Sequence, residues 1–289
     1  MNTQTVGYKA RAFELRNLIF FFLIALGLNW IKEVLRFYGV LEAPTGITDP
    51  NVLAEIFLGG GPTIAAFLLT ALTQGKPGVS ALWRRFWNRS LSFKWLAVIL
   101  LFTPGLWLVA NLVTRTVNAP NYRLFDQPGM YFGAFLAGLY SGLSEEFGWR
   151  GYALPRFQAK WNALISSLIL GVIWVSWHTR FFTQVVLDPL GGIPTDPGVW
   201  EWALWIMASS VFTTWIFNNT QGSILAAVLF HSSMNAGAVI FWCCSVPWHY
   251  SAVLVVATIL IVIIFGARSL VRQKPAEAIA QARVHAMSD

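Results

Sequence analysis

The sequence predicts an all-α fold, namely a polytopic membrane bundle of about eight transmembrane helices. Of its 289 residues, 56% are hydrophobic and only 11% are charged, whereas a soluble domain has about 25% charged residues. Apolar runs long enough to cross a hydrocarbon core of about 30 Å as a helix recur along the chain. No internal repeat or long polar linker interrupts them. We therefore expect one transmembrane helical domain over residues 1–289.

The apolar runs give the helices in order. We expect spans at residues 17–39, 52–73, 95–114, 129–148, 161–179, 201–217, 222–241 and 250–267. The first run follows Lys9, Arg11 and Arg16, which is typical of a signal peptide, but it continues through "LNWIKEVLRF" without a small-residue cleavage site. We therefore interpret it as a retained helix.

The net charge of +7 comes from basic residues at the ends of the apolar runs. A basic stretch at 75–94 separates the second and third spans, and a soluble basic tail is expected at 268–289, whereas the loop 181–200 has no Lys or Arg. This asymmetry follows the positive-inside rule, so nucleic-acid binding is not expected. With an even number of crossings, both termini lie in the cytosol of a bacterial or archaeal cell.

Charged residues near the start of the chain lie close to the predicted helix ends. Lys32, Glu33 and Arg36 end the first segment, and Glu55 lies near the start of the second. Long side chains at such positions extend to the headgroups. We therefore interpret these four residues as interfacial, without a special role.

The fourth segment ends in "SGLSEEFGWRGY", where charge enters an apolar helix. Glu146 and Arg150 are an i,i+4 pair with the acid first, which favours an ion pair on one face. Glu145 is rotated by about 100° from Glu146, so we expect it to have no partner within its own helix. An unpaired buried carboxylate suits a group that handles protons. The alternative is that both acids lie among the headgroups.

Two histidines favour a buried site over that alternative. His178 closes the fifth segment in "WVSWH", and His231 lies about nine residues into the seventh, with Asn235 one turn later. A single histidine in an apolar helix is more often a hydrogen-bonded core residue, but intramembrane ionisable residues with a nameable partner are functional candidates. Small residues in the fourth segment, in "GAFLAG" at 133–138 and at Ser141, Gly142 and Ser144, predict close helix packing.

Three motifs together resemble those of the CPBP intramembrane proteases, also called CAAX prenyl protease 2-like or ABI-type proteins. That family has Glu-Glu-x-x-x-Arg, Phe-x-x-x-His and His-x-x-x-Asn on successive helices. This chain has "EEFGWR" at 145–150, "WVSWH" at 174–178 and "HSSMN" at 231–235. The resemblance covers about residues 128–240, as a CPBP-like catalytic core. Trp174 stands where the family has phenylalanine.

The resemblance implies a function for each motif. Glu145 and His178 would activate a water, and His231 and Asn235 would stabilise the oxyanion formed when that water attacks a peptide carbonyl. Glu146 and Arg150 would form a structural ion pair. The substrate would be a peptide or protein at the lipid bilayer, lipidated or not. Two histidines and a carboxylate are also the ligand set of a catalytic zinc, so a zinc ion held by Glu145, His178 and His231 is an alternative. We favour metal-independent activation of the water.

Two other functions compete with an intramembrane endopeptidase. One is a catalytically silent immunity or scaffold protein of the same fold, and the other is a proton-coupled carrier, which would more often show inverted repeats.

The predicted helix lengths would separate two of the candidate site residues. A simple hairpin turning near Lys160 would leave His178 about 27 Å along the fifth helix, far from Glu145. The two meet only if one helix is strongly tilted or broken, or if the turn itself is sunk in the membrane. Pro155 is the expected place for a break.

Overall fold

The computed structural model describes residues 14–44, 48–87, 91–116, 128–178, 197–243 and 248–272. Within these ranges the secondary structure is helical, without strands, which confirms the predicted all-α class. The helices are α1 Leu15–Phe37, α2 Asn51–Gly59, α3 Gly61–Arg84, α4 Phe93–Thr116, α5 Pro128–Gly148, α6 Leu154–Gln158, α7 Ala163–Trp177, α8 Pro197–Asn219, α9 Ile224–Cys243 and α10 Trp248–Phe265. A π-helical turn, Trp149–Ala153, joins α5 to α6.

Several of the described helices are suited to a membrane. Leu15–Phe37 and Phe93–Ala110 are each long and apolar enough to cross one, with mean hydropathies of 1.9 and 1.8, and α2 with α3 would form a third, broken span. Shorter apolar helices occur at Ala163–Trp177, Ile224–Gly237 and Tyr250–Phe265. These helices support a membrane bundle, while the number of crossings stays a prediction.

The second predicted span is not one straight helix. α2 and α3 are bent by 57° relative to each other at Gly60. α3 is itself kinked at Gly75, where φ is +62°, and its second part extends to Arg84 within the basic stretch 75–94. The start of α3 packs tightly against α1, because a Cβ at Gly61 would lie only 2.6 Å from the carbonyl oxygen of Ala25. Apolarity alone does not locate a bend that depends on such a close approach.

The interfacial interpretation of the four charged residues near the start of the chain is wrong for Lys32 and Glu33. These two are buried, being 5% and 2% exposed. Lys32 Nζ lies 2.9 Å from Glu55 Oε1 and 3.4 Å from Glu33 Oε1, and Arg36 Nη2 lies 2.5 Å from Glu55 Oε2. The opposite charges satisfy one another, so the cluster joins α1 to α2 instead of extending to headgroups.

α5 packs closely along α9, as the small residues predict. A Cβ at Gly138 would lie 2.9 Å from the Cα of Ser232, and one at Gly142 would lie 2.9 Å from the carbonyl oxygen of Val228. Gly133, in contrast, has no neighbouring atom within 4 Å of such a Cβ. The spacing of Gly138 and Gly142 therefore brings the helix of the glutamates against the helix of His231.

The predicted break lies slightly before Pro155. The N–H of Leu154 donates to the carbonyl of Trp149, five residues earlier, which is the π-helical pattern. Pro155 then follows in the first turn of α6, where its missing N–H is tolerated. The chain reverses after α6, and α7 begins with Asn162, whose Oδ1 accepts a hydrogen bond from the Ile165 N–H at 2.8 Å.

The first residues of the predicted soluble tail pack against the bundle. The carbonyl of Arg268 accepts from the N–H of Ala163 at 2.9 Å, Leu270 is fully buried, and its carbonyl accepts from Asn219 Nδ2 at 2.7 Å. The packed part of the chain therefore extends past residue 268 to at least Leu270, while a soluble tail stays a prediction. The rest of the tail, the basic residues Lys9 and Arg11, and nearly all of the loop 181–200 lie outside the described residues.

Candidate active site

Glu146 lies at the end of α5 and is completely buried. Its Oε1 lies 3.0 Å from Arg150 Nη1 and 2.8 Å from His231 Nδ1. The first contact is the ion pair that the i,i+4 spacing predicts. The second was not expected, and it ties the ion pair of α5 directly to the histidine of α9.

Arg150 is buried with its carboxylate partner. Its guanidinium lies over the ring of Trp174, with Cζ 4.8 Å from the ring centroid, and its Nη2 donates to the carbonyl of Ser210 at 3.4 Å. A cation over an indole face is attracted by the ring quadrupole. Contacts from α7 and α8 thus hold the positive charge beside Glu146.

Glu145 is buried and accepts hydrogen bonds from two tryptophans. The indole N–H groups of Trp149 and Trp174 donate to its Oε2 at 3.0 and 2.7 Å. The expectation that Glu145 has no partner in its own chain segment is wrong, because Trp149 is its i+4 neighbour. Both donors are neutral, however, so these two hydrogen bonds bring no cation to the carboxylate.

His231 lies between the two carboxylates. Its Nδ1 must donate to Glu146, since an ionised carboxylate only accepts, and its Nε2 therefore faces Glu145, at 3.9 Å from Oε1. The ring also packs edge-on against Trp174, with centroids 5.3 Å apart. This arrangement fixes which nitrogen of His231 is available for chemistry.

His178 caps the end of α7, and Trp174 connects it to the glutamates. Its Nδ1 donates to the carbonyl of Trp174 at 2.8 Å, so the neutral ring carries its lone pair on Nε2. Within the described part of the chain, no hydrogen bond or ion pair joins His178 to Glu145. Trp174 contacts both of them, through its carbonyl and its indole N–H.

α1 holds the end of α7 in place, which sequence reasoning missed. Asn29 Nδ2 donates to the carbonyl of Trp177 at 2.5 Å, and the indole N–H of Trp30 donates to that of Ser176 at 3.0 Å. The indole N–H of Trp177 donates in turn to the carbonyl of Ala25 at 3.1 Å. The terminal carbonyls of a helix have no intrahelical donors, so these side chains fix the backbone that presents His178.

Asn235 lies one turn after His231 on α9 and is partly buried. Its Cβ lies 3.3 Å from the position of a Cβ at Gly138, so it lies where α5 and α9 approach each other. Its side-chain amide makes no hydrogen bond to any part of the chain that the structure describes. The amide is therefore available as a neutral donor to a ligand.

Zinc held by Glu145, His178 and His231 is the alternative to metal-independent water activation. Among the described residues, no three His, Cys, Asp or Glu side chains gather into a cluster that could hold a metal. Glu145 Oε2 accepts from two indole N–H groups and His231 Nδ1 contacts Glu146, while Glu145 Oε1 and His231 Nε2 lie 3.9 Å apart. Metal dependence therefore stays a prediction.

Comparisons with known proteins match the region that carries this site. Residues 127–237 match the model of the family described as type II CAAX prenyl endopeptidase Rce1-like. Over this region the chain is therefore similar to the CPBP-type membrane endopeptidases. It is also similar to a "CAAX prenyl protease 2" of Methanococcus maripaludis, with 24% identity over 185 residues, which cover 60% of this chain and 68% of that protein.

The matched region contains all of the predicted site residues. It begins just before α5 and ends within α9. It therefore includes the helix of Glu145 and Glu146, the end of α7 with His178, and the part of α9 that carries His231 and Asn235. Both matches are to endopeptidases of the CAAX prenyl type.

Proposed function

We propose that this chain is an intramembrane endopeptidase in which Glu145 and His178 activate a water that attacks a peptide carbonyl. The contacts of Glu145 carry this proposal. It is a buried carboxylate held by two neutral indole donors, while the adjacent Glu146 is paired with Arg150. Of the two acids, Glu145 is the one whose charge is not neutralised within its own helix.

Glu145 serves as the general base in this proposal. The indole donors hold Oε2, whereas Oε1 accepts no hydrogen bond from the described residues and lies 3.9 Å from His231 Nε2, so Oε1 is the oxygen that receives the water proton. The water oxygen bonds to the carbonyl carbon, the C–N bond then breaks, and the proton passes to the departing amine. Hydrolysis thus yields a carboxylate and an amine without a covalent enzyme intermediate.

His178 orients the same water through Nε2. Its Nδ1–H is committed to the Trp174 carbonyl, so Nε2 is the acceptor in the neutral ring. The rings of Trp174, Trp177 and Trp202 surround the imidazole of His178, and the distances between ring centroids are 5.9, 4.9 and 5.1 Å. Such an apolar enclosure excludes bulk water and strengthens the electrostatic interactions inside.

His231 and Asn235 stabilise the oxyanion. Because Nδ1 of His231 donates to Glu146, Nε2 becomes a donor only in the imidazolium form. That form balances the cluster, since Glu145 and Glu146 supply two negative charges and Arg150 only one positive charge. Asn235, on the same face of α9, adds a neutral N–H donor to the developing negative charge.

The substrate that we propose is the C-terminal region of a prenylated or otherwise lipidated protein at the membrane. The similarity to a CAAX prenyl protease supports this class of substrate. Terminal profiling of membranes tests the function without assuming one substrate. New peptide termini should appear in cells that carry the wild type or the exposed control Glu42→Gln, and should be absent with Glu145→Gln. The same termini in all three samples would leave a catalytically silent scaffold as the better explanation.

A further inference from the structure

Two backbone carbonyls in the π-helical turn lack their normal helical donors. In an α-helix the Gly151 carbonyl would accept from the N–H of residue 155, but residue 155 is proline and has none. The Arg150 carbonyl would accept from the N–H of Leu154, which donates to Trp149 instead. Buried carbonyls without donors are costly, and Arg150 and Gly151 are both buried.

The side chain of Arg85 supplies donors to both carbonyls. Its Nη1 donates to Gly151 O at 2.7 Å and its Nη2 to Arg150 O at 3.4 Å. Arg85 is the C-cap residue that directly follows α3, so these bonds join the end of α3 to the turn across a sequence separation of 66 and 65 residues. The planar guanidinium suits two neighbouring acceptors, whereas a lysine would offer a single nitrogen.

Arg85 also contacts the helix that carries His231. Its carbonyl accepts from the N–H of Ile224, the first residue of α9, at 3.1 Å. Its guanidinium lies over the ring of Phe217 on α8, 5.2 Å from the centroid. One residue therefore links the turn that follows Glu145 and Glu146 to the start of the helix that bears His231.

We propose that Arg85 is a positioning residue for peptide hydrolysis, acting through the π-helical turn. Trp149 and Arg150 lie in that turn and donate to Glu145 and Glu146 respectively. If the turn loses the donors of Arg85, the contacts of Trp149 and Arg150 with the two glutamates lose their fixed geometry. The general base Glu145 is then misplaced, whereas no residue proposed to contact the substrate has been replaced. This inference rests on the proposed function for its kinetic consequence only.

The test compares Arg85→Ala and Arg85→Lys with the matched control Arg84→Ala. Among the described residues, the side chain of Arg84 donates only to the Ser80 carbonyl of its own helix. The readouts are hydrogen exchange of the peptide that spans residues 145–156 and cleavage of a synthetic farnesylated C-terminal peptide in proteoliposomes. Arg85→Ala should speed exchange in that peptide and lower kcat about tenfold or more with little change in KM, because hydrogen bonds to charged groups are strong. The exchange rate and the kcat of Arg85→Lys should lie between those of the wild type and Arg85→Ala. Both values for Arg84→Ala should match the wild type.

A second background makes the test specific to the unpaired carbonyls. Pro155→Ala restores an N–H that can donate to the Gly151 carbonyl in the α-helical register or to the Arg150 carbonyl in the π-helical register, so Arg85→Ala should have a clearly smaller effect in that background than in the wild type. Equal effects in both backgrounds, or an equal effect of Arg84→Ala, would overturn the proposal. If Arg85→Ala does not fold, Arg85→Lys provides the same comparison. If the wild type cleaves no peptide, the proposed function fails, while hydrogen exchange still decides the role of Arg85.

Discussion

Two adjacent carboxylates at the end of α5 have different surroundings, and these suit them to different roles. Glu146 contacts a cation and an imidazole, whereas Glu145 contacts two indoles. Glu146 thus acts on His231 as well as on Arg150, since it fixes the imidazole orientation. A residue that we expected to be purely structural is therefore one contact away from the proposed chemistry.

The first prediction concerns the buried pair of Glu146 and Arg150. Replacing either one by alanine leaves the other charge buried without a partner, which typically costs about 3–5 kcal/mol. Both Glu146→Ala and Arg150→Ala should therefore lower the folded yield and the Tm in detergent, as well as activity. The double variant Glu146→Met/Arg150→Met removes both charges and should lose much less stability. Single variants with wild-type yield and Tm would contradict the pairing argument.

The second prediction separates the oxyanion donors from the water-activating groups. Loss of one oxyanion donor typically lowers turnover about 10²- to 10³-fold, so Asn235→Ala should retain slow cleavage with little change in KM. His178→Ala should retain essentially none.

The outcome of that comparison also bears on zinc. If His178, His231 and Glu145 held a metal, alanine at either histidine would release it and abolish activity equally, and chelators would inhibit the wild type. Metal analysis of the purified wild type and of both histidine variants distinguishes the two mechanisms. One tightly bound zinc that is lost in both variants would replace our assignment.

Among the helices, α5 is the element on which the site depends, because two others pack against it at positions where only glycine fits. α9 contacts it at Gly138 and Gly142, and the start of α3 contacts it at Gly148. A Cβ at Gly148 would lie 2.5 Å from backbone and ring atoms of Pro62. The contact lies directly between Glu146 and the π-helical turn, so it fixes the helix where the carboxylates emerge.

The third prediction tests that contact. Gly148→Ala should destabilise the protein by about 1–3 kcal/mol through overpacking against a backbone that cannot move freely, and it should lower activity because the neighbouring carboxylates shift. Gly133→Ala is the matched control on the same helix, since its Cβ would meet no atom within 4 Å. Thermal unfolding in detergent should show a lower Tm only for Gly148→Ala. Equal effects of the two substitutions would show that the close approach is not important.

For the molecule as a whole, composition and periodicity predict the helical class and the order of the helices, because apolar runs and i,i+4 pairs are local properties. They do not predict contacts made between distant segments. Nothing near Glu146 in the sequence identifies His231 as its partner, and nothing near Trp177 identifies Asn29. The inward orientation of Lys32 and Glu33 depends likewise on Glu55 from another helix, so a local interpretation placed them at the interface.

In the proposed mechanism, Glu145 activates the water that hydrolyses the substrate. The most direct measurement is the turnover of a farnesylated C-terminal peptide by purified protein in proteoliposomes, compared between the wild type, Glu145→Gln and the exposed control Glu42→Gln. The glutamine keeps the shape of the side chain but takes up no proton, so Glu145→Gln should insert and fold normally yet release no cleaved peptide, while Glu42→Gln should match the wild type. Substantial cleavage by folded Glu145→Gln would show that Glu145 is not the general base.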